Sequence, residues 1–574
     1  MRRIFRLFAI IVVLILIAIL WFWWNRPIPV DMAANVPADS LVYLEANSLT
    51  DITSAISETD TWQSVAIDLG FTPAKRRNDW LTYLAKTTGL GSATAVIAAR
   101  AQIAFVILDL SSQGNGDALE FKSQVAVIVE THTSAYRVRP AMESAISTLA
   151  ARIYVHPRVE RVTIDGNDFT RWIAPDNQRR IVAAVDGSLV VVGNDERAVS
   201  ACLAARHGER PSLLHKADLE EMRTRLKAAE ALAFGYASGA NTARIISVIA
   251  PMKVGVFFAQ PQFQKLLTMG AANLLGNVAW SAHRFNGGIE DSYLIDLKPE
   301  DAARLQPAFV RADQRLQGAW EFVPAEADSV SSYNILEPSN AWLTCKTVIS
   351  SRLDILSAVL FTDLSRNAFQ PYGIDEPDVF LQGIKPEILT VRIASQSEHP
   401  LVVAHIGKAD ILHQFITRRF GTKPRSEKVG DVEVVLSPDE EFAASFADDY
   451  FLLGAPADVR RSLASRAAHE SLTSSSSAVA ALTHYLERPS AAHVVTYARD
   501  GERTRAFINT VAIIRGTRSS ISSGQIDRVI SGLPFATTET KLGENGFERR
   551  TRSAFGQFAF LVSYLNPEPD NTSP

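Results

Sequence analysis

The longest uninterrupted run of apolar residues in the chain lies near its start, at residues 7–24, and contains no charge. As a helix, these 18 positions would extend about 27 Å, close to the ~30 Å thickness of the hydrocarbon core of a bilayer. Trp21, Trp23 and Trp24 lie at its far end and Arg26 follows it, and such residues favour the membrane interface. The pattern predicts a transmembrane anchor.

The charges around this run indicate an orientation. Several arginines occur within residues 1–6, whereas Arg26 is the only basic residue between the run and Lys75. The positive-inside rule then places residues 1–6 in the cytoplasm and the rest of the chain in the periplasm of a bacterium, as a single-pass inner-membrane protein. A cleaved signal peptide is the alternative. The length of the run, and the lack of a small-residue cleavage site directly after it, favour an uncleaved signal anchor.

The remaining pattern repeats once along the chain, which indicates a tandem duplication. Paired positions keep their order, and their spacing falls from 287 to 258 residues, as expected for copies that differ by a few loop insertions. The pairs are Pro37 with Pro324, Gly166 with Gly430, Pro175 with Pro438, Gly193 with Gly454, Tyr236 with Tyr497, and Gly288 with Gly546. Chance similarity of strand, turn and helix patterns is the alternative.

The repeat divides the chain into predicted segments. These are a linker at residues 25–35, a first module at 36–305, a linker at 306–322, a second module at 323–565 and a disordered tail at 566–574.

Within each module, short runs rich in β-branched residues come in pairs, separated by turn residues. Residues 180–185 and 189–192, for example, flank an Asp-Gly turn, which is typical of a hairpin. Stretches with helical periodicity, such as residues 141–151, separate the groups of strands. The predicted fold class is α+β: the transmembrane helix, then two tandem, mostly antiparallel sheet modules with helices packed on one face.

Apolar residues also crowd together between residues 242 and 277. Two interpretations stay open: a helical pair packed on the core, or an exposed apolar surface for a lipid, a membrane or a protein partner. The candidate residues of this surface are Ile245, Ile249, Val256, Phe257, Phe258, Phe263, Leu266, Leu267 and Met269.

Composition narrows the class of protein. The chain has 574 residues, of which 47% are hydrophobic and 21% charged, which is typical of a folded protein. A net charge of -4 argues against a nucleic-acid partner. Two cysteines, Cys202 and Cys345, exclude a disulfide-dense scaffold. Two separate thiols are the preferred interpretation, and a disulfide in an oxidising compartment is the alternative.

Searches for catalytic chemistry give nothing specific. The sequence contains no G-x-x-x-x-G-K-[ST], G-x-S-x-G, S-x-x-K or H-E-x-x-H motif. His405 and His413 are eight residues apart, so they cannot share one helical turn as metal ligands. Asp448 and Asp449 fall at a predicted turn, where solvated carboxylates are ordinary. We therefore predict no catalytic residue, no cofactor and no metal site.

Residues 37–43, Pro-Ala-Asp-Ser-Leu-Val-Tyr, follow the single Trp-ended helix, and a strand after Asp186-Gly187-Ser188 ends at Gly193. In these features the chain resembles a family of bacterial membrane-anchored envelope proteins classed only as a domain of unknown function, here in two copies. The resemblance implies the location and architecture given above, and no activity or catalytic residue.

Three functions remain as hypotheses. The first is a non-enzymatic scaffold or binding module of the bacterial envelope with a protein partner, which the anchor, the duplication and the missing catalytic motifs favour. The second is a periplasmic carrier or sensor of a lipid or another apolar ligand, using residues 242–277. The third is an envelope hydrolase with an unrecognised site.

Overall fold

The structure is a computed structural model of the chain. It describes residues 29–67, 101–115, 118–154, 156–164, 166–254, 269–312, 318–393, 399–474, 492–515, 523–531, 533 and 535–563.

Twenty strands among the described residues form one continuous antiparallel sheet. The strands of the first half are β1 (Val42–Ala46), β2 (Gln102–Asn115), β3 (Ala118–Glu130), β4 (Arg158–Ile164), β5 (Asn167–Ile173), β6 (Arg180–Asp186), β7 (Leu189–Gly193), β8 (Ala233–Ala237), β9 (Leu275–Phe285) and β10 (Gly288–Leu297). Those of the second half are β11 (Ser329–Tyr333), β12 (Ile384–Arg392), β13 (Leu401–Ile406), β14 (Arg425–Val429), β15 (Val432–Leu436), β16 (Ala443–Ala447), β17 (Tyr450–Gly454), β18 (Val494–Ala498), β19 (Ala536–Gly543) and β20 (Gly546–Ser553).

The spatial order of the strands is the same in the two halves. The first half runs β4-β5-β6-β7-β3-β2-β1-β8-β9-β10. The second runs β14-β15-β16-β17-β13-β12-β11-β18-β19-β20. The two halves join where β10 pairs with β20 along eight residues of each strand. The prediction of two modules, each with its own sheet, is therefore wrong, because hydrogen bonds between β10 and β20 merge them into one sheet.

Residues paired by the repeat fall at equivalent places in this topology. Gly193 ends β7 and Gly454 ends β17. Pro37 bridges to Ser212 in the first half, and Pro324 bridges to Ser471 in the second.

The helices of the first half connect the strands and cover the sheet. They are α1 (Leu49–Ser57), α2 (Asp60–Val65), α3 (Ala135–Tyr154), α4 (Glu196–Arg206), α5 (Ala217–Arg225), α6 (Gly239–Val254) and α7 (Pro299–Leu305). Those of the second half are α8 (Pro338–Ser350), α9 (Ile355–Asn367), α10 (Pro377–Gly383), α11 (Ala409–Phe420), α12 (Pro456–Ala467), α13 (Gly501–Arg515), α14 (Ser523–Ser531) and α15 (Gln557–Ser563).

Helices pack on both faces of the sheet, so the prediction of helices on one face is also wrong. Along β13, Leu401 and Val403 belong to one core, which includes Val459 of α12. Val402 and Ala404 belong to another, which includes Phe415 of α11. Successive side chains of a strand point to opposite faces. An apolar run such as residues 401–404 of β13 is therefore typical of a strand covered on both sides.

Helices also cross the junction between the halves. Phe507 of α13 packs edge-on against Trp62 of α2 at 6.2 Å between ring centroids, and stacks on Phe555 at 4.2 Å. Elsewhere at the junction, Arg352, which follows α8, forms an ion pair with the fully buried Asp301 of α7 at 2.8 Å. Each half therefore contributes helices to a core that it shares with the other.

The predicted membrane location needs correction. Across the described ranges, no helix combines the length and the apolar character needed to cross a bilayer. The predicted anchor at residues 7–24 and its flanking Trp21, Trp23, Trp24 and Arg26 lie outside those ranges. The structure thus does not support the predicted single-pass inner-membrane protein with its bulk in the periplasm.

Candidate functional site

An apolar pocket with a volume of about 260 Å³ lies in the second half of the molecule. One wall is the sheet, formed by side chains of β11, β12 and β13. The opposite wall is formed by α8, α10 and the short 3-10 helix Gln370–Tyr372. We call it the apolar pocket.

The register of the strands determines which side chains form the sheet wall of the pocket. Tyr333 of β11 lies opposite Ile388 of β12, and Thr390 of β12 lies opposite Val402 of β13. Because side chains alternate along a strand, these residues share one face, while Leu389 packs in the core on the other face. The sheet wall is therefore fixed by backbone pairing.

The helical wall comes from one face of α8. The face consists of Pro338, Ala341, Trp342 and Cys345, whose spacing of i, i+3, i+4 and i+7 places them on one side of a helix. The indole of Trp342 packs edge-on against the ring of Phe369, with 4.9 Å between centroids. Pro338 at the first turn suits a helix start, because its missing N–H would have no partner there.

Few polar atoms line the pocket. The indole Nε1 of Trp342 is itself shielded, and no residue that the structure describes accepts a hydrogen bond from it. Tyr372 shares a side-chain hydrogen bond with Tyr333, and burial raises the pKa of Tyr372. Burial also raises the pKa of the Cys345 thiol, to about 11. Of the described residues that line the pocket, none carries a charge, so the site resembles an apolar ligand site with a few polar groups.

A larger groove of about 430 Å³ lies on the sheet where the halves join, and its character is different. Its floor and wall are charged, but many of these side chains already pair with one another. Lys541 pairs with Glu548 at 2.8 Å, and Arg550 pairs with Glu290 at 3.4 Å. Exposed charges that pair in this way are satisfied by each other and by water, so they do not call for a charged ligand. We therefore place the candidate site in the apolar pocket.

Most of the predicted apolar surface of residues 242–277 lies outside the described residues. Ile245 and Ile249 lie on α6, which packs against β9, and Ile245 is half-buried. Met269 is also half-buried. Val256, Phe257, Phe258, Phe263, Leu266 and Leu267 lie outside the described residues. That surface stays a prediction.

The histidines and cysteines considered in the sequence are separate from one another. The ring of His413 stacks on Phe446, while His405 contacts Tyr450 and burial lowers the pKa of His405. Cys202 is buried in the core of the first half, and both it and Cys345 are free thiols. Over the described ranges, no group of three or more His, Cys, Asp or Glu side chains is arranged to hold a metal ion.

Sequence reasoning missed the apolar pocket. Its only local signal is the spacing of Ala341, Trp342 and Cys345, and the same spacing is typical of any helix packed on a core.

Comparisons with known proteins give no relative. No family model, no curated protein and no solved structure matches the chain. The resemblance to an envelope family of unknown function therefore stays a prediction.

Proposed function

We propose that this protein binds a small apolar ligand in the apolar pocket of its second half. The observation that carries the proposal is a pocket of about 260 Å³ with hydrophobic and aromatic walls and no charged lining residue. An apolar cavity of roughly 150 Å³ is enough to bind benzene in another protein. A fused two-ring aromatic compound, or an alkyl chain of similar volume, is therefore a suitable ligand.

The expected affinity is modest. A two-ring ligand that buries roughly 250 Å² of apolar surface gains about 6 kcal/mol before the entropic cost of association. After that cost, the dissociation constant of the bare hydrocarbon should lie well above the roughly 40 µM to which 6 kcal/mol alone corresponds. A natural ligand with further contacts would bind more tightly.

This proposal keeps the hypothesis of an apolar-ligand carrier or sensor, but moves the site from residues 242–277 to the second half. The location of the protein is not part of it. A protein scaffold and a hydrolase stay predictions that the structure does not test.

Equilibrium dialysis of the full chain against naphthalene tests the proposal. Ala368 lies at the end of α9, is exposed and lines the pocket, so Ala368→Trp should block entry without disturbing a core. Ala409 is also exposed, but it lies at the start of α11 and outside the pocket lining. Ala409→Trp is therefore a matched control.

We expect the wild-type chain and Ala409→Trp to retain naphthalene equally, and Ala368→Trp to bind at least about tenfold more weakly. The proposal fails if the wild-type chain retains none, or if Ala368→Trp binds as well as the control.

A further inference from the structure

The floor of the apolar pocket ends at a positive charge. Strand β12 directs Leu389 and Val391 into the core on the other face of the sheet. Ile388 and Thr390 alternate with them and line the pocket. Arg392 is the next residue on the pocket face of β12 and the last residue of the strand. Its Cα atom therefore lies about 6.6 Å beyond that of Thr390.

The helical cover of the pocket reaches the same end of the floor. Tyr372, in the short 3-10 helix Gln370–Tyr372, lines the pocket. The carbonyl oxygen of Pro371 in that helix lies 3.1 Å from Nδ1 of His399, which belongs to the connection between β12 and β13. Burial is the main influence on the pKa of Tyr372 and raises it, whereas the positive charge of Arg392 acts to lower it. The guanidinium is therefore close enough to act electrostatically on a group in the pocket lining.

The charge of Arg392 differs in its pairing from the other cation beside the pocket. The Arg392 side chain is exposed and forms no ion pair with any residue that the structure describes. Lys346, next to the helical wall, has its Nζ atom 5.6 Å from the centroid of the Trp342 ring. This ammonium group already binds both carboxylate oxygens of Asp378, at 2.6 and 2.7 Å. Arg392 is thus available to an anionic ligand, whereas Lys346 is already paired.

We infer that the ligand of the apolar pocket is an amphiphile with one carboxylate, whose apolar body fills the pocket and whose carboxylate pairs with Arg392 at the end of β12. This inference rests on the proposed function and adds the ligand class to it. A guanidinium presents its N–H donors in a fork that matches the two oxygens of a carboxylate. Because the head group stays in contact with water, the ligand avoids the high cost of burying an ion among apolar side chains.

Three ligands with the same two-ring body test this charge preference. They are 3-(2-naphthyl)propanoate, 3-(2-naphthyl)propanamide and 3-(2-naphthyl)propylammonium, which are negative, neutral and positive at neutral pH. The short alkyl tether lets the head group extend past Thr390 while the rings stay in the pocket. Dissociation constants are measured by isothermal titration calorimetry on the full chain.

Two variants accompany the wild-type chain. Arg392→Gln removes the positive charge and keeps a long polar side chain. The carbonyl of Arg392, not its side chain, accepts the N–H of Asp328, so the variant should leave the sheet intact. Arg197→Gln is the matched control. Arg197 is also exposed and forms no ion pair with any described residue, but it lies on α4 of the first half, outside the pocket lining.

We expect the wild-type chain and Arg197→Gln to bind the propanoate about 3- to 5-fold more tightly than the propanamide, near the upper end for exposed charge pairs. The propylammonium should bind more weakly than the propanamide. Arg392→Gln should bring the propanoate to within about twofold of the propanamide, because only the charge is lost. The preference of the wild-type chain should also shrink at high salt, since salt screens exposed charges.

The outcomes separate this inference from the proposed function. If the propanoate and the propanamide bind the wild-type chain equally, or if Arg392→Gln leaves their ratio unchanged, Arg392 does not hold a carboxylate, while the apolar site stands. Tighter binding of the propylammonium would overturn the anionic class. If none of the three ligands binds, or if Ala368→Trp leaves their binding unchanged, the proposed function itself fails.

Discussion

Ser292 of β10 lies directly opposite Arg550 of β20, at the centre of the pairing that joins the two halves. On either side, Glu290 lies opposite Arg552, and Leu294 lies opposite Glu548. Residues 292 and 550 are separated by 258 positions, the same spacing as Gly288 and Gly546 of the repeat. Residues 292 and 550 are therefore equivalent residues that pair with each other, and a local two-fold axis at this pair exchanges the pairs 290/552 and 294/548.

Because the halves share cores, damage at the junction should spread to both. Phe507 of α13 is fully buried against Trp62 of the first half, and Phe507→Ala should cost about 3–5 kcal/mol. Hydrogen exchange followed by mass spectrometry should show faster exchange in residues 49–65 as well as in α13.

Phe169→Ala is the matched control, since Phe169 is equally buried but belongs to the core of the first half alone. It should not accelerate exchange in α13. If Phe507→Ala leaves residues 49–65 unaffected, the two halves are energetically independent and the shared core does not couple them.

Two buried carboxyl groups near the junction should make stability depend on pH. Burial raises the pKa of Asp291 to about 6, although Trp280 and the Gln557 amide donate to it, and burial raises the pKa of Asp500 to about 6. Each is near 3.9 in an unfolded chain. A raised carboxyl pKa stabilises the fold only while the group is protonated, so stability falls as pH rises from about 4 to 6, by up to about 3 kcal/mol each.

Asp500→Asn tests that sign. The variant should raise the unfolding temperature above that of the wild-type chain at pH 7.5, and raise it less at pH 4.5. Asp431→Asn, at an exposed turn, provides the comparison and should change neither value. A stabilisation by Asp500→Asn that is larger at pH 4.5 than at pH 7.5 would contradict the assignment.

A buried arginine holds together the start of the described chain and β1. Arg223 of α5 donates to Asp31 at 2.8 Å and to Glu45 at 3.0 Å, while the Tyr43 hydroxyl donates to Glu45 at 2.6 Å. Arg223→Met leaves the buried Glu45 carboxylate without a cation, which should cost about 3–5 kcal/mol.

Thermal unfolding measures this loss. Adding Glu45→Gln to Arg223→Met should restore part of the stability, because it removes the unpaired buried charge. If the double variant is no more stable than Arg223→Met, the buried charge is not the cause of the loss.

The two thiols should react slowly, and only one of them should respond to ligand. Burial raises the pKa of Cys345 to about 11 and that of Cys202 to about 12. At pH 7.5 the Cys345 thiolate is then roughly 300-fold rarer than that of an ordinary cysteine. Since Cys345 lines the pocket, naphthalene should slow its alkylation by iodoacetamide further.

Peptide mapping by mass spectrometry follows both cysteines in one sample, with Cys202 as the internal control. Naphthalene should leave the rate at Cys202 unchanged. Equal protection of both thiols would indicate a general stabilisation of the fold instead of a ligand in the pocket.

Hairpins could be predicted from the sequence, because the turn residues that join the two strands lie directly between them in the chain. The Asp186-Gly187 turn predicted the pairing of β6 with β7, which the structure confirms, and Gly187 has the positive φ of +62° that such turns need. The pairing of β10 with β20 could not be predicted, since it joins strands far apart in sequence and no turn connects them. The residues next to β10 and β20 in the sequence do not indicate which residues of the two strands pair.

The wrong prediction of helices on one face of the sheet, in contrast, could have been avoided from the sequence. Strand β13 begins with Leu-Val-Val-Ala, which has no polar alternation and favours burial on both faces, whereas helices on one face were predicted. The pocket had no such signal, because Trp342 has the spacing of an ordinary core residue. Only the three-dimensional arrangement shows that its ring lines a pocket.

The most direct test of an apolar ligand site is a crystal structure of the full chain grown with 2-bromonaphthalene, with data collected at the bromine absorption edge. The ligand is uncharged, and bromine gives an anomalous signal that locates it without reference to the protein coordinates. We expect the strongest bromine peak inside the apolar pocket, in contact with Trp342 of α8 and Ile388 of β12. A strongest peak elsewhere on the protein, with none in this pocket, would contradict the account.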